Sequence, residues 1–156
     1  MTMKKYILAV FSLLFISHQS YAEPAVTDSF TFKGHKITLT QNQQKCQLEV
    51  SSSDQKKLHP LALTAPCYFL RNGDSDPQSY RYPDVNVEAA FIVLGNPVSA
   101  DEREIWNLSS DIQCGTQGQG LLFDGVRFSV SQKTLNRILI CKDKGSDEKN
   151  YRFLCN

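Results

Sequence analysis

Apolar and polar residues alternate along most of the chain that follows residue 28. In SFTFKGHKITLTQ, from Ser29, the apolar residues occupy every second position on each side of Gly34, and KCQLEV repeats this pattern from Lys45. A period of two is typical of a β-strand with one solvated face. VNVEAAFIVL, from Val85 to Leu94, is more continuously apolar, which predicts a central strand. GVRFSVSQ, RILIC and YRFLC are also predicted as strands.

One segment has the signals of a helix. In PVSADEREIWNLSS, Ser99 is followed three residues later by Glu102, which is a capping-box pattern. Acidic side chains in the first turn also favour a helix through its dipole. We therefore predict a short helix over residues 100–108, with Trp106 packed in the core. The whole pattern predicts a mainly β fold: a small disulfide-linked antiparallel β-sandwich or barrel with this one helix.

The N-terminus has the pattern of a secretory signal peptide. Lys4 and Lys5 precede an apolar run that ends near Ile16, and SYA, ending at Ala22, offers the small residues of a cleavage site. The run is shorter than the roughly 20 residues needed to span a bilayer. We therefore expect residues 1–22 to be removed. The mature chain is expected to be soluble, in a bacterial periplasm or outside the cell, with no membrane span.

The charge of the chain argues against nucleic acid as a partner. The full chain has 17 basic and 16 acidic residues, and loss of Lys4 and Lys5 leaves 15 basic residues and a net charge of −1. Proteins that bind nucleic acid usually have a basic excess or a basic stripe, whereas the basic residues here are scattered. Residues 23–156 fit a single β-rich domain with one core.

All five cysteines follow residue 22, and in an oxidising compartment they predict a disulfide framework with one thiol left over. FKGHKITLTQ, from residue 32, is similar to FDGVRFSVSQ, from residue 123. This similarity raises the alternative of two related β-units, over about 29–70 and 120–156, although any two amphipathic hairpins look alike. The repeat predicts the bridges Cys46–Cys67 and Cys141–Cys155. Cys114 is then a spare thiol, either buried or linking a homodimer.

Cys114 lies in the glycine-rich stretch DIQCGTQGQGLLFDG. Gly115 is expected to take a positive φ, whereas Gly118 and Gly120 would face one side of a strand and allow close approach there. The spacing matches neither a dinucleotide-binding fingerprint nor a P-loop. A catalytic Cys114 would need a base, for which His35 and His59 are the candidates. The stretch is better interpreted as a bend that leads into a strand, with Cys114 not required for activity.

Partner binding is predicted for Tyr80, Arg81 and Tyr82 in SYRYPD, because tyrosine and arginine are enriched at binding hot spots. The alternative is that one tyrosine covers an edge of the core. NGDSDP, from Asn72, has part of a calcium loop but lacks the distal glutamate, and no CxxC or HxxxH pair occurs. No catalytic residue, metal or cofactor is therefore assigned.

Three functions remain after these exclusions. Secretion, a near-neutral charge and disulfides favour a binding protein with a protein partner: an inhibitor or immunity protein that acts on a toxin, a lysozyme or another envelope enzyme. The first alternative is a thiol-dependent envelope enzyme that uses Cys114. The second is a structural or assembly subunit of a surface fibre. We expect a binding protein rather than an enzyme.

Overall fold

The computed structural model describes residues 23–156, and the predicted signal peptide lies outside them. A first antiparallel sheet contains, in spatial order, β1 (Ala25–Phe32), β2 (His35–Asn42), β3 (Lys45–Ser51) and β4 (Lys56–Thr64). In the second sheet, one edge of β7 (Val87–Pro97) pairs with β5 (Tyr68–Phe69) and β6 (Ser79–Tyr82); β8 (Cys114–Phe123) and β9 (Phe128–Cys141) follow on the other side. The helices are α1 (Ala100–Ile105), α2 (Glu148–Leu154) and a 3-10 turn, Pro83–Val85.

The two sheets pack face to face, which confirms the predicted antiparallel sandwich. Their facing sides form what we call the inter-sheet core, built from the alternate positions that the sequence pattern had marked as apolar. Aromatic rings fill one end of it: Phe32 stands edge-on to Phe91 and Phe123, with ring centroids 5.1 and 5.6 Å apart. The buried aliphatic members from the first sheet include Ile37, Leu39, Leu48, Val50, Leu61 and Leu63.

Strand β7 is buried on both faces, as its continuous apolar sequence predicted. Phe91 and Val93 point into the inter-sheet core, whereas Ile92 and Leu94 point to the opposite side of the second sheet. There they belong to a separate helix-side core, which also contains Leu70, Tyr82, Val87, Ala90, Leu135, Tyr151 and Leu154. The molecule is therefore layered as sheet, sheet and helix, with β7 in the middle layer.

The segment YRFLC, predicted as a strand, is instead the end of helix α2. The Asp147 side chain caps the helix by accepting the Lys149 N–H at 2.8 Å, and Tyr151 and Leu154, three residues apart, share its buried face. Three hydroxyl–carbonyl contacts hold the helix: Tyr151 on Gln78 at 3.0 Å, Tyr82 on Glu148 at 3.0 Å and Ser131 on Leu154 at 2.7 Å. The face of the second sheet that points away from the first sheet supplies an apolar surface, and packing against this surface favours a helix over a strand.

Helix α1 is confirmed, and it ends slightly earlier than predicted. Ser99 and Glu102 form the capping box, with the Ser99 hydroxyl accepting the Glu102 N–H and the Glu102 carboxylate accepting the Ser99 N–H at 2.9 Å. These backbone and hydroxyl hydrogen bonds also hold the pKa of Glu102 below its usual range. Within residues 23–156, no helix is long and apolar enough to cross a membrane.

Side chains rather than a continuous backbone ladder connect the two sheets at their edges. On the β4 side, the Ala62 N–H donates to Gln119 Oε1 at 2.8 Å and the Thr64 N–H donates to Asn96 Oδ1 at 2.7 Å. On the β1 side, Asp28 binds Arg71. Because amide and carboxylate groups replace strand pairing at these edges, the sheets stay separate and form a sandwich.

The internal sequence echo falls on two β-hairpins. Phe32 ends β1 before the turn into β2, and Phe123 ends β8 before the turn into β9. The chain then differs: two further strands follow the first hairpin, whereas α2 follows the second. The similarity is therefore confined to a hairpin turn and the strand that follows the turn.

Gly120 of β8 makes room for helix α2. A Cβ atom on Gly120 would lie 3.1 Å from the Cβ atoms of both Leu154 and Ser131. We therefore expect Gly120→Val to push α2 from the sheet and to lower the free energy of unfolding by about 1–3 kcal/mol, measured by urea denaturation. Ser129→Val, at an exposed position of β9, is the control and should change stability little. Equal stability of the two variants would contradict this seating of the helix.

Candidate functional site

The glycine-rich stretch is strand β8 itself, and Cys114 is its first residue. Gly115 is extended rather than in the expected positive-φ bend; a Cβ atom there would lie 2.6 Å from the carbonyl oxygen of Gly95 on the neighbouring strand. Gly118 and Gly120 do allow the close approach that their spacing predicted. These glycines therefore serve the packing of β8 against its neighbours.

The disulfide pairing was predicted correctly for one bridge and wrongly for the other. Cys46 is bonded to Cys67, as expected, but Cys141 is bonded to Cys114 and not to Cys155. Cys114 and Cys141 lie directly opposite each other in the β8–β9 ladder, whereas Cys155 follows helix α2. The prediction of Cys114 as a spare thiol is therefore wrong, and no thiol at that position is available for catalysis or for an interchain bond.

The free thiol belongs to Cys155, which is half-buried beside the helix-side core. Its Sγ lies 3.2 Å from the carbonyl oxygen of Tyr151. Burial raises the pKa of the Cys155 thiol, and Arg152 offsets this only in part. A raised pKa reduces the thiolate fraction near neutral pH, so the thiol is poorly reactive.

The two candidate histidine bases lie far from Cys114 along the second sheet. The rings of His35 and Phe123 have centroids 6.3 Å apart, and Phe123 ends the strand that Cys114 begins. At roughly 3.4 Å per residue, a strand of this length separates its ends by about 30 Å. His59 lines the same cavity as His35, so neither histidine can take a proton from position 114.

The three residues predicted to bind a partner do not form an exposed group. Tyr82 is buried in the helix-side core, and burial raises its pKa to about 12. The Tyr80 ring packs on Tyr151, with centroids 4.8 Å apart, and Arg81 alone is exposed. The alternative of tyrosines covering the core thus accounts for both aromatic residues, and a binding role of Arg81 stays a prediction.

Trp106 was predicted in the core, and this was wrong, because 60% of its surface is exposed. The residue caps the C-terminus of α1, and its neighbour Ile105 is 75% exposed. A short helix can be held by its cap without burying an apolar face, and α1 has no buried residue. The position of Trp106 on a predicted helix therefore did not reveal that its side chain is exposed. The polar residues around it in the sequence were an indication of this exposure.

A groove of about 710 Å³ lies between α1 and the second sheet. We call it the Trp106 groove; it is lined by Val98, Glu102, Trp106, Thr116, Gln117, Asn136, Arg137, Ile138 and Leu139. Its floor comes from a bulge in β9, where residues 137–139 interrupt the pairing with β8 and Arg137 takes a φ of +56°. Bulges redirect side chains, and this one presents Arg137 and the 40% exposed Leu139.

The polar groups of the groove differ in what they can offer a ligand. Glu102 is engaged in the capping box, and Gln117 donates to Asn136 Oδ1 at 2.9 Å. Arg137 forms no ion pair with any acidic residue in the described part of the chain. The groove therefore presents an indole ring, an aliphatic side chain and a guanidinium that forms no ion pair among the described residues.

A second, smaller cavity of about 170 Å³ lies where the β3–β4 and β8–β9 hairpins meet. We call it the histidine cavity; it is lined by His35, Val50, Ser52, Gln55, Lys57, His59, Val126, Arg127 and Phe128. Both histidines of residues 23–156 therefore line one space, which nothing in their sequence positions predicted.

Within residues 23–156, no group of three or more His, Cys, Asp or Glu side chains is placed to hold a metal ion. The NGDSDP segment forms the loop before β6, where the Ser75 carbonyl accepts a hydrogen bond from Arg71 Nε at 2.8 Å. No protein-family model, no curated protein sequence and no solved structure shows detectable similarity to this chain.

Proposed function

We propose that this chain is a secreted binding protein that inhibits an enzyme of the cell envelope through the Trp106 groove. The observation that carries the proposal is the exposure of Trp106 and Arg137 on the walls of one open groove. Tryptophan and arginine are among the residue types most enriched at binding hot spots, and an exposed tryptophan can bury a large apolar surface against a partner.

The chemistry of the groove specifies the partner surface. Trp106 and Leu139 offer an apolar surface, and Arg137 offers a guanidinium that forms no ion pair within residues 23–156. The complementary surface on the partner has an apolar side chain that enters the groove and a carboxylate beside it that contacts Arg137. The β9 bulge interrupts the strand edge at this place, which disfavours strand addition and favours docking of side chains.

Secretion and an oxidising compartment are supported by the signal-peptide pattern and by the two disulfides. A thiol-dependent enzyme would need a free thiol at position 114, whereas Cys114 is bonded to Cys141. The alternative of a fibre subunit requires strand exchange, which the bulged edge of β9 disfavours. Inhibition of an envelope enzyme therefore has the strongest support of the three.

The test is a panel of envelope hydrolases, including lysozymes and secreted peptidoglycan-cleaving toxins, assayed with and without the protein. We expect inhibition of one member, accompanied by a blue shift of the fluorescence of Trp106, the only tryptophan in the chain. Trp106→Ala should weaken inhibition by about 30-fold, because a hot-spot side chain contributes about 2 kcal/mol or more.

The matched control is Leu58→Ala, which removes another exposed large apolar side chain from the edge strand β4. This variant should inhibit like the wild type. Absence of inhibition across the panel, or equal inhibition by Trp106→Ala, would contradict the proposal.

A further inference from the structure

Polar side chains occupy core-facing positions at the mouth of the sandwich. His35 shares the inward face of β2 with Ile37 and Leu39, and His59 shares the inward face of β4 with Leu61 and Leu63. The period-two pattern calls for apolar residues at these positions. Departures from a local rule of this kind concentrate at functional sites.

One ring nitrogen of His59, a residue that lines the histidine cavity, has no hydrogen-bond partner among the residues that the structure describes. His59 Nε2 is buried and forms no hydrogen bond with residues 23–156. A buried nitrogen without a partner carries an energetic penalty that a ligand can remove. The His35 ring stands edge-on to Phe128, with centroids 5.4 Å apart, which fixes its orientation beside the same space.

The charges around the cavity favour an anion. Arg127 lies 3.7 Å from Asp124, and Lys33 lies 3.4 Å from Glu88, so each of these two acids already has a cation. Lys57 has no acidic partner in the part of the chain that the structure describes. Lys57 therefore leaves an unpaired positive charge beside the cavity, which repels a cation and attracts an anion.

The size and the walls of the cavity narrow the class of anion. About 170 Å³ is well below the roughly 300–1,000 Å³ of pockets that enclose drug-sized ligands. Val50, Val126 and Phe128 form apolar walls opposite the basic groups. Inorganic phosphate, charged on every side, suits such walls poorly, whereas an organic carboxylate has one charged end and one apolar end.

We propose that the histidine cavity binds a single organic carboxylate, with Lys57 and His59 contacting its oxygens and the apolar walls contacting its carbon chain. The carboxylate could belong to a small organic acid or to a glutamate side chain of a protein. This site is separate from the Trp106 groove, which lies toward the opposite end of β8 and β9, so its presence does not depend on the proposed function.

Burial and the neighbouring Lys57 lower the pKa of His59, so its ring is neutral at neutral pH without a ligand. A bound carboxylate favours the charged ring, and an opposite charge at contact distance raises a histidine pKa by about one pH unit or more. By reciprocity, carboxylate affinity should rise by about tenfold as His59 becomes protonated. The other charged or titratable groups at this mouth are His35, Lys57, Arg127 with Asp124, Lys33 with Glu88, and Asp54 in the β3–β4 turn.

The test follows the imidazole proton signals of the full chain by NMR, assigned with His35→Gln and His59→Gln. The probes are propionate for a free organic acid, N-acetylglutamate methylamide for a protein side chain, and inorganic phosphate. We expect a saturable shift of the His59 signal and a higher titration midpoint with either carboxylate. The carboxylate that binds with the higher affinity indicates whether the ligand is a free organic acid or a glutamate side chain of a protein.

Lys57→Gln should weaken carboxylate binding by about tenfold. Lys56→Gln is the matched control, because it removes the same charge from the adjacent residue, which pairs with Glu49 at 2.7 Å; binding should not change. Absence of a saturable shift, equal or tighter binding of phosphate, or equal losses in the two lysine variants would overturn the proposal.

Discussion

Replacement of Asp28 by asparagine is expected to lower the free energy of unfolding by about 3–5 kcal/mol, the largest effect that we expect from one substitution. The carboxylate accepts two hydrogen bonds from the Arg71 guanidinium, at 2.6 and 2.9 Å, and one from the Phe69 N–H at 2.9 Å. The side chains of Asp28 and Arg71 are only about a tenth exposed. Asparagine keeps the shape but leaves the arginine charge without a counter-charge.

The measurement is urea denaturation, in which the m-value, the dependence of the unfolding free energy on urea concentration, should stay unchanged. The matched control is Glu88→Gln. Glu88 pairs with Lys33 across 3.4 Å, but both side chains are more than a third exposed. Solvent screens such a pair, so its loss should cost about 0–1 kcal/mol. The double variant Asp28→Leu with Arg71→Met should recover part of the stability, because it removes both buried charges. Similar losses for Asp28→Asn and Glu88→Gln would contradict this account.

Removal of either disulfide is expected to lower the free energy of unfolding by about 2–4 kcal/mol. The bridges close loops of similar length, with sequence separations of 21 for Cys46–Cys67 and 27 for Cys114–Cys141. Each bridge therefore lowers the conformational entropy of the unfolded chain by a comparable amount. The paired alanine variants Cys46→Ala with Cys67→Ala, and Cys114→Ala with Cys141→Ala, should therefore lose similar stability in thermal or urea unfolding.

Cys155→Ala is the control for both bridges, because it removes a cysteine that is not bonded. It should change stability by less than about 1 kcal/mol, as expected for a partly exposed side chain. Peptide mass mapping of the parent protein should recover the link between Cys114 and Cys141. A link between Cys141 and Cys155 instead, or a loss in Cys155→Ala as large as in the paired variants, would contradict the structure.

Features that depend on neighbouring residues were predictable from the sequence. The alternation of polar and apolar residues placed most of the long strands, and the capping box placed α1, because both patterns act within a few residues of the chain. The strands β4 and β6 were not predicted. The continuous apolar sequence of β7 likewise predicted a strand buried on both sides. Residues 147–155 carried two local signals: the alternation in YRFLC, and an aspartate cap at Asp147 followed by apolar residues three apart. Packing against the second sheet decided for the helix.

Features that depend on residues distant in the chain were not predictable in this way. The partner of Cys141 follows from the register of β8 on β9, which sequence spacing does not fix. The exposure of Trp106 depends on where α1 lies, because the cap specifies a helix but not its contacts. Strand β4 was not predicted from the sequence, so only the structure placed His59 on an inward face and brought it to the same cavity as His35. Local patterns thus determined which elements form, and long-range packing determined which side chains meet.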